Sequence, residues 1–157
     1  MNPAVLYHKL NHLLAALAGG LRSPFLLVIR LYWGWAFFQT GKGKLMHLER
    51  TAGYFADLHI PAPKLNAIMA GSVECCGGML LLLGLGGRIV PLPLIFTMIV
   101  AYATTEQEAL HALTSDPDKF VTAAPFLFLL AAVIVLVFGP GKLALDAVIG
   151  RKSSADQ

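Results

Sequence analysis

The chain is short and strongly apolar. It has 157 residues, of which 57% are hydrophobic and 13% are charged, and a formal net charge of +3; its mean hydropathy is +0.68. This length leaves room for one domain, and this composition favours membrane spans over a soluble core. A small positive charge is typical of the loops of a membrane protein, so we expect no nucleic acid partner.

The first 23 residues predict an amphipathic helix. Leucines recur at helical spacing with polar residues opposite them: Leu6, Leu10, Leu13, Leu14, Leu17 and Leu21 on one side, and His8, Lys9, Asn11 and His12 on the other. The apolar stretch before Ala16 is too short for the core of a signal peptide. We therefore expect residues 1–23 to lie at the membrane surface.

Four apolar segments approach the length of a membrane span, about 20 residues for a helix. They fall at about 24–41, 66–87, 89–105 and 121–139. None alternates with a period of two residues, which excludes the strands of a barrel. The sequence predicts an all-α integral membrane protein, a four-transmembrane-helix bundle with an N-terminal amphipathic interfacial helix. Its parts are the interfacial helix 1–23, the membrane domain 24–141 and a polar C-terminal tail 142–157.

The loops give limited information on orientation. Placing the N-terminus inside puts six basic residues inside and five outside, while the acidic loop 106–118 is compatible with the outside. We expect both termini inside. In the first loop, Leu48, Ala52 and Phe55 share one face of a predicted short interfacial helix.

Two ionisable residues stand within the predicted spans, Arg30 in the first and Glu74 in the second. A charge in lipid costs roughly 2.5–3.5 kcal/mol on insertion scales unless it is paired or faces a polar cavity. Glycines share a helix face with each of them, so these helices can approach closely. We expect Arg30 and Glu74 to pair. The pair either fixes helix register or handles a proton and orients a ligand.

Aromatic residues cluster inside the first span: Tyr32, Trp33, Trp35, Phe37 and Phe38. Such residues pack against other helices or lipid, or they wall a flat apolar ligand such as a quinone. In the second case we expect a quinone between spans one and two, in contact with Trp33, Phe37 and Gly78. Arg30 and Glu74 are then the candidate catalytic residues: Arg30 orients a quinone oxygen and Glu74 exchanges a proton.

The sequence predicts no metal site. His8-x-x-x-His12 and Glu108-x-x-His111 have metal-like spacings, but the further carboxylates of a di-iron bundle are missing, which favours solvated polar faces. The adjacent Cys75 and Cys76 cannot form an ordinary disulfide. No nucleotide-binding motif is present. No cofactor is evident other than the candidate quinone.

From about Leu26 to Asp146 the chain resembles the DoxX family of small bacterial four-span membrane proteins. The matching pieces are Arg30 with Gly41-x-x-Lys44, Phe55 with Ile60-Pro61, Glu74-x-x-Gly77-Gly78 with Leu83-Gly84-Leu85 and Arg88, and Gly139-Pro140-Gly141 with Leu145-Asp146. His59 stands where the family often has glycine. The resemblance implies a multi-pass protein of the bacterial cytoplasmic (inner) membrane, loosely described as an oxidoreductase subunit. Relatives are linked to quinone-coupled thiosulfate oxidation and to membrane complexes with redox-defence enzymes.

The leading hypothesis is an integral-membrane accessory subunit of a respiratory or redox complex, with the lipid bilayer and other membrane-complex subunits as partners. The alternative is a non-catalytic scaffold that stabilises a larger membrane assembly. Whether the chain is itself an enzyme stays open. A transporter or channel is disfavoured, because the spans carry no continuous line of polar residues.

Overall fold

The computed structural model of the chain describes residues 3–155, which form eight helices and no strand. The predicted all-α class is confirmed for these residues. In chain order the helices are α1 (Pro3–Met46), α2 (Leu48–Asp57), α3 (Pro63–Leu83), α4 (Pro91–Thr104), α5 (Gln107–His111), α6 (Pro117–Thr122), α7 (Pro125–Phe138) and α8 (Leu145–Ala155). Proline is the first residue of α3, α4, α6 and α7, where its missing N–H would be unpaired anyway.

Four helices surround one core. α1 packs most extensively against α3 and α4 against α7, while smaller α3–α4 and α1–α7 contacts close the ring. The core between them is centred on Phe37, Leu94, Met98 and Val135, all buried. α2 lies against α3 at one end of this bundle.

Two bundle helices are long and apolar enough to cross a membrane, over Ala4–Met46 and Pro63–Leu83. The spans predicted at about 89–105 and 121–139 coincide with α4 and α7, which have 14 residues each. A helix of that length extends about 21 Å, against about 30 Å of hydrocarbon. The count of four membrane crossings therefore stays a prediction.

α1 is longer than a membrane crossing requires. Its 44 residues extend about 66 Å, and the helix is continuous across the predicted boundary between residues 23 and 24. Residues 4–22 are all exposed, and Leu26 is the first buried residue of α1. The predicted interfacial segment is thus the N-terminal part of the same helix, and its position on a membrane stays a prediction. Residues 1 and 2 lie outside the described residues.

The predicted polar tail, 142–157, begins as part of the packed fold. The Asp146 backbone N–H donates to the Gly84 carbonyl at 3.2 Å, and the Gly86 N–H donates to the Asp146 carboxylate at 3.2 Å. α8 follows from Leu145 to Ala155, and residues 156 and 157 lie outside the described residues.

Glycines bring the backbones of α1 and α3 into contact, as the sequence predicts. A Cβ added to Gly34 would lie 2.8 Å from the Leu82 amide nitrogen, and one added to Gly41 or Gly78 would overlap the opposite backbone. Only glycine permits this approach. We call the contact formed by Gly34, Gly41, Gly71 and Gly78 the glycine interface.

Candidate functional site

A cavity of about 930 Å³ lies at the end of the bundle that α2 covers. α1, α2, α3, α4 and α7 all contribute to its wall. Its apolar lining includes Phe55, Ile60, Met69, Val73, Phe96, Met98 and Phe128, and its ionisable lining comprises Lys44, His47, Arg50, Tyr54, Glu74 and Glu106. A mostly apolar space with a few polar groups is typical of a ligand site.

A buried ion pair forms part of the cavity wall. Glu74 is 1% exposed, and Lys44 Nζ lies 2.5 Å from both of its carboxylate oxygens. Lys44 stands in the last turn of α1, where a helix dipole favours a cation. Its side chain remains 30% exposed. The arrangement places a carboxylate inside the bundle with its counter-ion supplied by the neighbouring helix.

Arg30 lies at the opposite end of the bundle. It is 1% exposed, and its Nη2 donates to the Leu143 carbonyl at 2.8 Å. Its Nη1 packs directly against Gly84, where a Cβ would overlap it. Within the described residues, Nε and Nη1 have no hydrogen-bond partner.

The predicted pairing of Arg30 with Glu74 is wrong. The glycine interface sets the register, with Gly34 opposite Gly78 and Gly41 opposite Gly71. This register places Arg30 beside Gly84, ten residues and about 15 Å along α3 from Glu74. Glu74 instead faces the end of α1, where Lys44 follows Gly41 by one turn.

The residues predicted to contact a quinone do not line the cavity. Gly78 is covered by the α1 backbone, which leaves no room for a ring between α1 and α3 at that level. Phe37 is fully buried in the core. Trp33 and Phe37 both pack edge-to-face against Phe128, at centroid distances of 5.0 and 4.8 Å. Since Phe128 lines the cavity, these two aromatics support its wall from behind.

Sequence reasoning missed most of the polar lining. Lys44 entered only as part of a family pattern, and His47, Arg50 and Tyr54 were assigned no role. The available signal was the spacing: Lys44 lies three residues beyond Gly41, and Glu74 three beyond Gly71. Residues at that spacing share a helix face, so helices meeting at the two glycines also bring the two charges together.

A second, more polar cavity of about 680 Å³ lies between the end of α2 and the α4–α6 segment. Lys119 Nζ donates to the Glu108 carboxylate there at 2.8 Å, and this contact lowers the pKa of Glu108 and raises that of Lys119. Among residues 3–155, no three His, Cys, Asp or Glu side chains are grouped so that they could hold a metal ion.

Comparison with known proteins identifies the family. The DoxX family profile matches residues 25–107. The chain is 31% identical over 144 residues to an uncharacterized membrane protein of Mycobacterium tuberculosis, covering 84% of this chain and 85% of that protein. It is 29% identical over 129 residues to a Bacillus subtilis protein named "Putative oxidoreductase CatD", covering 81% and 90%. No solved structure gives a significant match. The chain belongs to the DoxX family of membrane proteins.

Proposed function

We propose that this protein is an integral-membrane subunit of a redox complex and that it binds a quinone in the cavity beside Lys44 and Glu74. One observation carries the proposal: a buried carboxylate, paired with Lys44, at the wall of a large, mostly apolar space. Ligand pockets commonly measure about 300–1,000 Å³ and use a few polar groups to orient the ligand. The name of the Bacillus subtilis relative supports a redox role.

The lining fits a ring with polar oxygens. An ammonium group has three N–H donors; Lys44 directs two at the Glu74 oxygens, which leaves one for a ligand oxygen. Phe128, held by Trp33 and Phe37, offers a flat wall for the ring. A bound quinone carries electrons and protons. Reduction of a quinone to a quinol takes up two electrons and two protons. In the proposal Lys44 orients one ring oxygen, Glu74 passes a proton to that oxygen and regains one from water, the second ring oxygen takes its proton from water, and a redox partner subunit supplies both electrons.

Binding of decylubiquinone, a short-tailed quinone, tests the proposal. Decylubiquinone is titrated into the detergent-purified protein, and its binding is measured by calorimetry and by the quenching of tryptophan fluorescence. Trp33 reports on the cavity because it packs against Phe128 of the cavity wall. We expect Glu74→Gln and Lys44→Met to weaken binding at least tenfold, about 1.4 kcal/mol. Lys64→Met is the matched control, because Lys64 forms an exposed ion pair with Glu49 and neither residue lines the cavity. Unchanged affinity in a folded Glu74→Gln protein contradicts the proposal.

The second candidate function is a non-catalytic scaffold. It is favoured by the position of Glu74 in α3, where Gly71 and Gly78 of the glycine interface flank it and where its pairing with Lys44 ties α1 to α3. A buried pair of this kind can serve to fix one helix register. In that case Glu74→Gln lowers thermal stability and complex assembly, and decylubiquinone binds neither to the variant nor to the wild-type protein.

A further inference from the structure

The N-terminal part of α1 projects beyond the bundle with its apolar side chains uncovered. We call residues 3–18 the arm. Leu10, Leu13 and Leu17 of the arm are 55–57% exposed. They belong to the amphipathic pattern of leucines, and nothing in the described bundle covers them. In water such a face is unfavourable, so the arm must be placed where it can bury these side chains.

The arm is joined to the bundle through two exposed glycines and a proline, while Arg22 between them donates to the Phe138 carbonyl at 2.7 Å and so anchors the bundle side of this stretch. Added Cβ atoms at Gly19 and Gly20 meet no atom within 4 Å, unlike those in the glycine interface. Each exposed helical glycine costs about 1 kcal/mol relative to alanine. Pro24 lies four residues after Gly20 and cannot donate to its carbonyl. Glycine pairs and prolines are where helices bend. We call residues 19–24 the hinge.

The apolar face of the arm is in line with the exposed apolar face of the bundle part of α1. Residues 18 apart are separated by five full helical turns and so share a side. Five such pairs are apolar or aromatic and exposed in both members: Tyr7 with Phe25, Leu10 with Val28, Leu13 with Leu31, Leu14 with Tyr32, and Leu17 with Trp35. In a membrane-embedded bundle, this side of residues 25–35 faces lipid.

This alignment determines what a bend at the hinge achieves. If residues 24–46 cross the membrane, bending the arm toward the lipid-facing side rotates its leucines downward onto the bilayer. Bending the arm toward the bundle would instead turn the leucines into water. A single bend thus buries the apolar face of the arm without any twist of the helix.

We propose that the arm folds at the hinge and lies on the surface of the bilayer with its leucines inserted. The apolar side chains of the arm continue directly into the lipid-facing side of α1. The bilayer is therefore the partner that covers the apolar face of the arm. Charge is complementary to an anionic surface, since the arm and the hinge contain Lys9 and Arg22 and no acidic residue. The inference rests on membrane embedding of the bundle, not on a ligand in the cavity.

Spin labels on cysteines at Leu10 and Lys42 measure the bend. The two positions are 32 residues apart, about 48 Å in a continuous helix and about 35 Å after a right-angle bend near residue 22. The background carries Cys75→Ala and Cys76→Ala. In nanodiscs of phosphatidylcholine with phosphatidylglycerol, diluted with unlabelled protein, we expect the shorter distance. The triple variant Gly19→Ala, Gly20→Ala, Pro24→Ala is expected to shift it toward 48 Å.

Depth measurements provide the matched control. A single label at Leu10 is expected to be accessible to dissolved oxygen and protected from a water-soluble nickel chelate. A label at Ala15, about 140° around the helix, is expected to show the opposite. Three results overturn the proposal: a wild-type distance near 48 Å, a Leu10 label open to the nickel chelate, or Leu10 labels of two copies close together, which would show that the arms pair with each other. Loss of quinone binding does not affect any of these readouts.

Discussion

Replacing Lys44 with methionine isolates the energetic role of the counter-ion of Glu74. The change removes the charge and keeps most of the apolar stem. Glu74 is 1% exposed, and Lys44 is the hydrogen-bond donor to its carboxylate among the described residues. Stranding one member of a buried ion pair costs about 3–5 kcal/mol. Because Lys44 is 30% exposed, we expect the lower part of this range, about 3–4 kcal/mol.

Thermal unfolding in detergent, followed by near-ultraviolet circular dichroism, measures this loss. At about 2–4 °C per kcal/mol for a chain of this size, Tm should fall by about 6–16 °C. The double variant Lys44→Met, Glu74→Met leaves no stranded charge and should recover most of the loss. Lys64→Met breaks only the exposed pair with Glu49 and should cost less than about 1 kcal/mol. A single Lys44→Met variant as stable as the wild type, or a double variant no better than the single one, refutes the reasoning.

Three further predictions concern packing, a buried hydroxyl and pH. Gly41→Ala should lower Tm by several degrees because its Cβ would overlap the α3 backbone, whereas Gly43→Ala, where a Cβ meets no atom within 4 Å, should not. Tyr102→Phe should cost about 1–2 kcal/mol in denaturant unfolding, because the buried hydroxyl donates to a carbonyl at 2.8 Å. Lys119 lowers the pKa of Glu108, so their contact is present above the ordinary pKa of a glutamate and is lost as pH falls through the lowered value. Lys119→Met should raise the pKa of Glu108 in a carbon-13 NMR titration, and an unchanged value contradicts the assignment.

The helices were largely predictable because their boundaries are encoded locally. Proline begins α3, α4 and α7, and Gly84 ends α3 in a left-handed conformation with φ 71°. The predicted short helix in the first loop is confirmed as α2, with Ala52 buried. The break between α6 and α7 was not predicted; Ala123 is extended there, two residues before Pro125.

The site was only partly predictable because it depends on register. The sequence identified Glu74 and the glycine faces, but we paired Glu74 with the other charge in the predicted spans, Arg30, expecting the long arginine side chain to bridge their difference in depth. Contact between glycine backbones fixes the register of α1 along α3. In this register Lys44 lies beside Glu74, and Arg30 lies at the other end of the bundle, where it donates to the Leu143 carbonyl. The cavity, formed by five helices, has no local signal in the chain.

The glycine interface has a consequence for how the protein assembles during synthesis. Among the described residues, α1 and α3 are the helices long and apolar enough to cross a membrane, and they also share the most extensive contact. Helices that insert first and associate afterwards rely on such close packing, because lipid supplies no hydrophobic force between them. We therefore expect α1 and α3 to associate as a stable pair before α4 and α7 are synthesised. The two shorter helices then pack against a surface that is already formed.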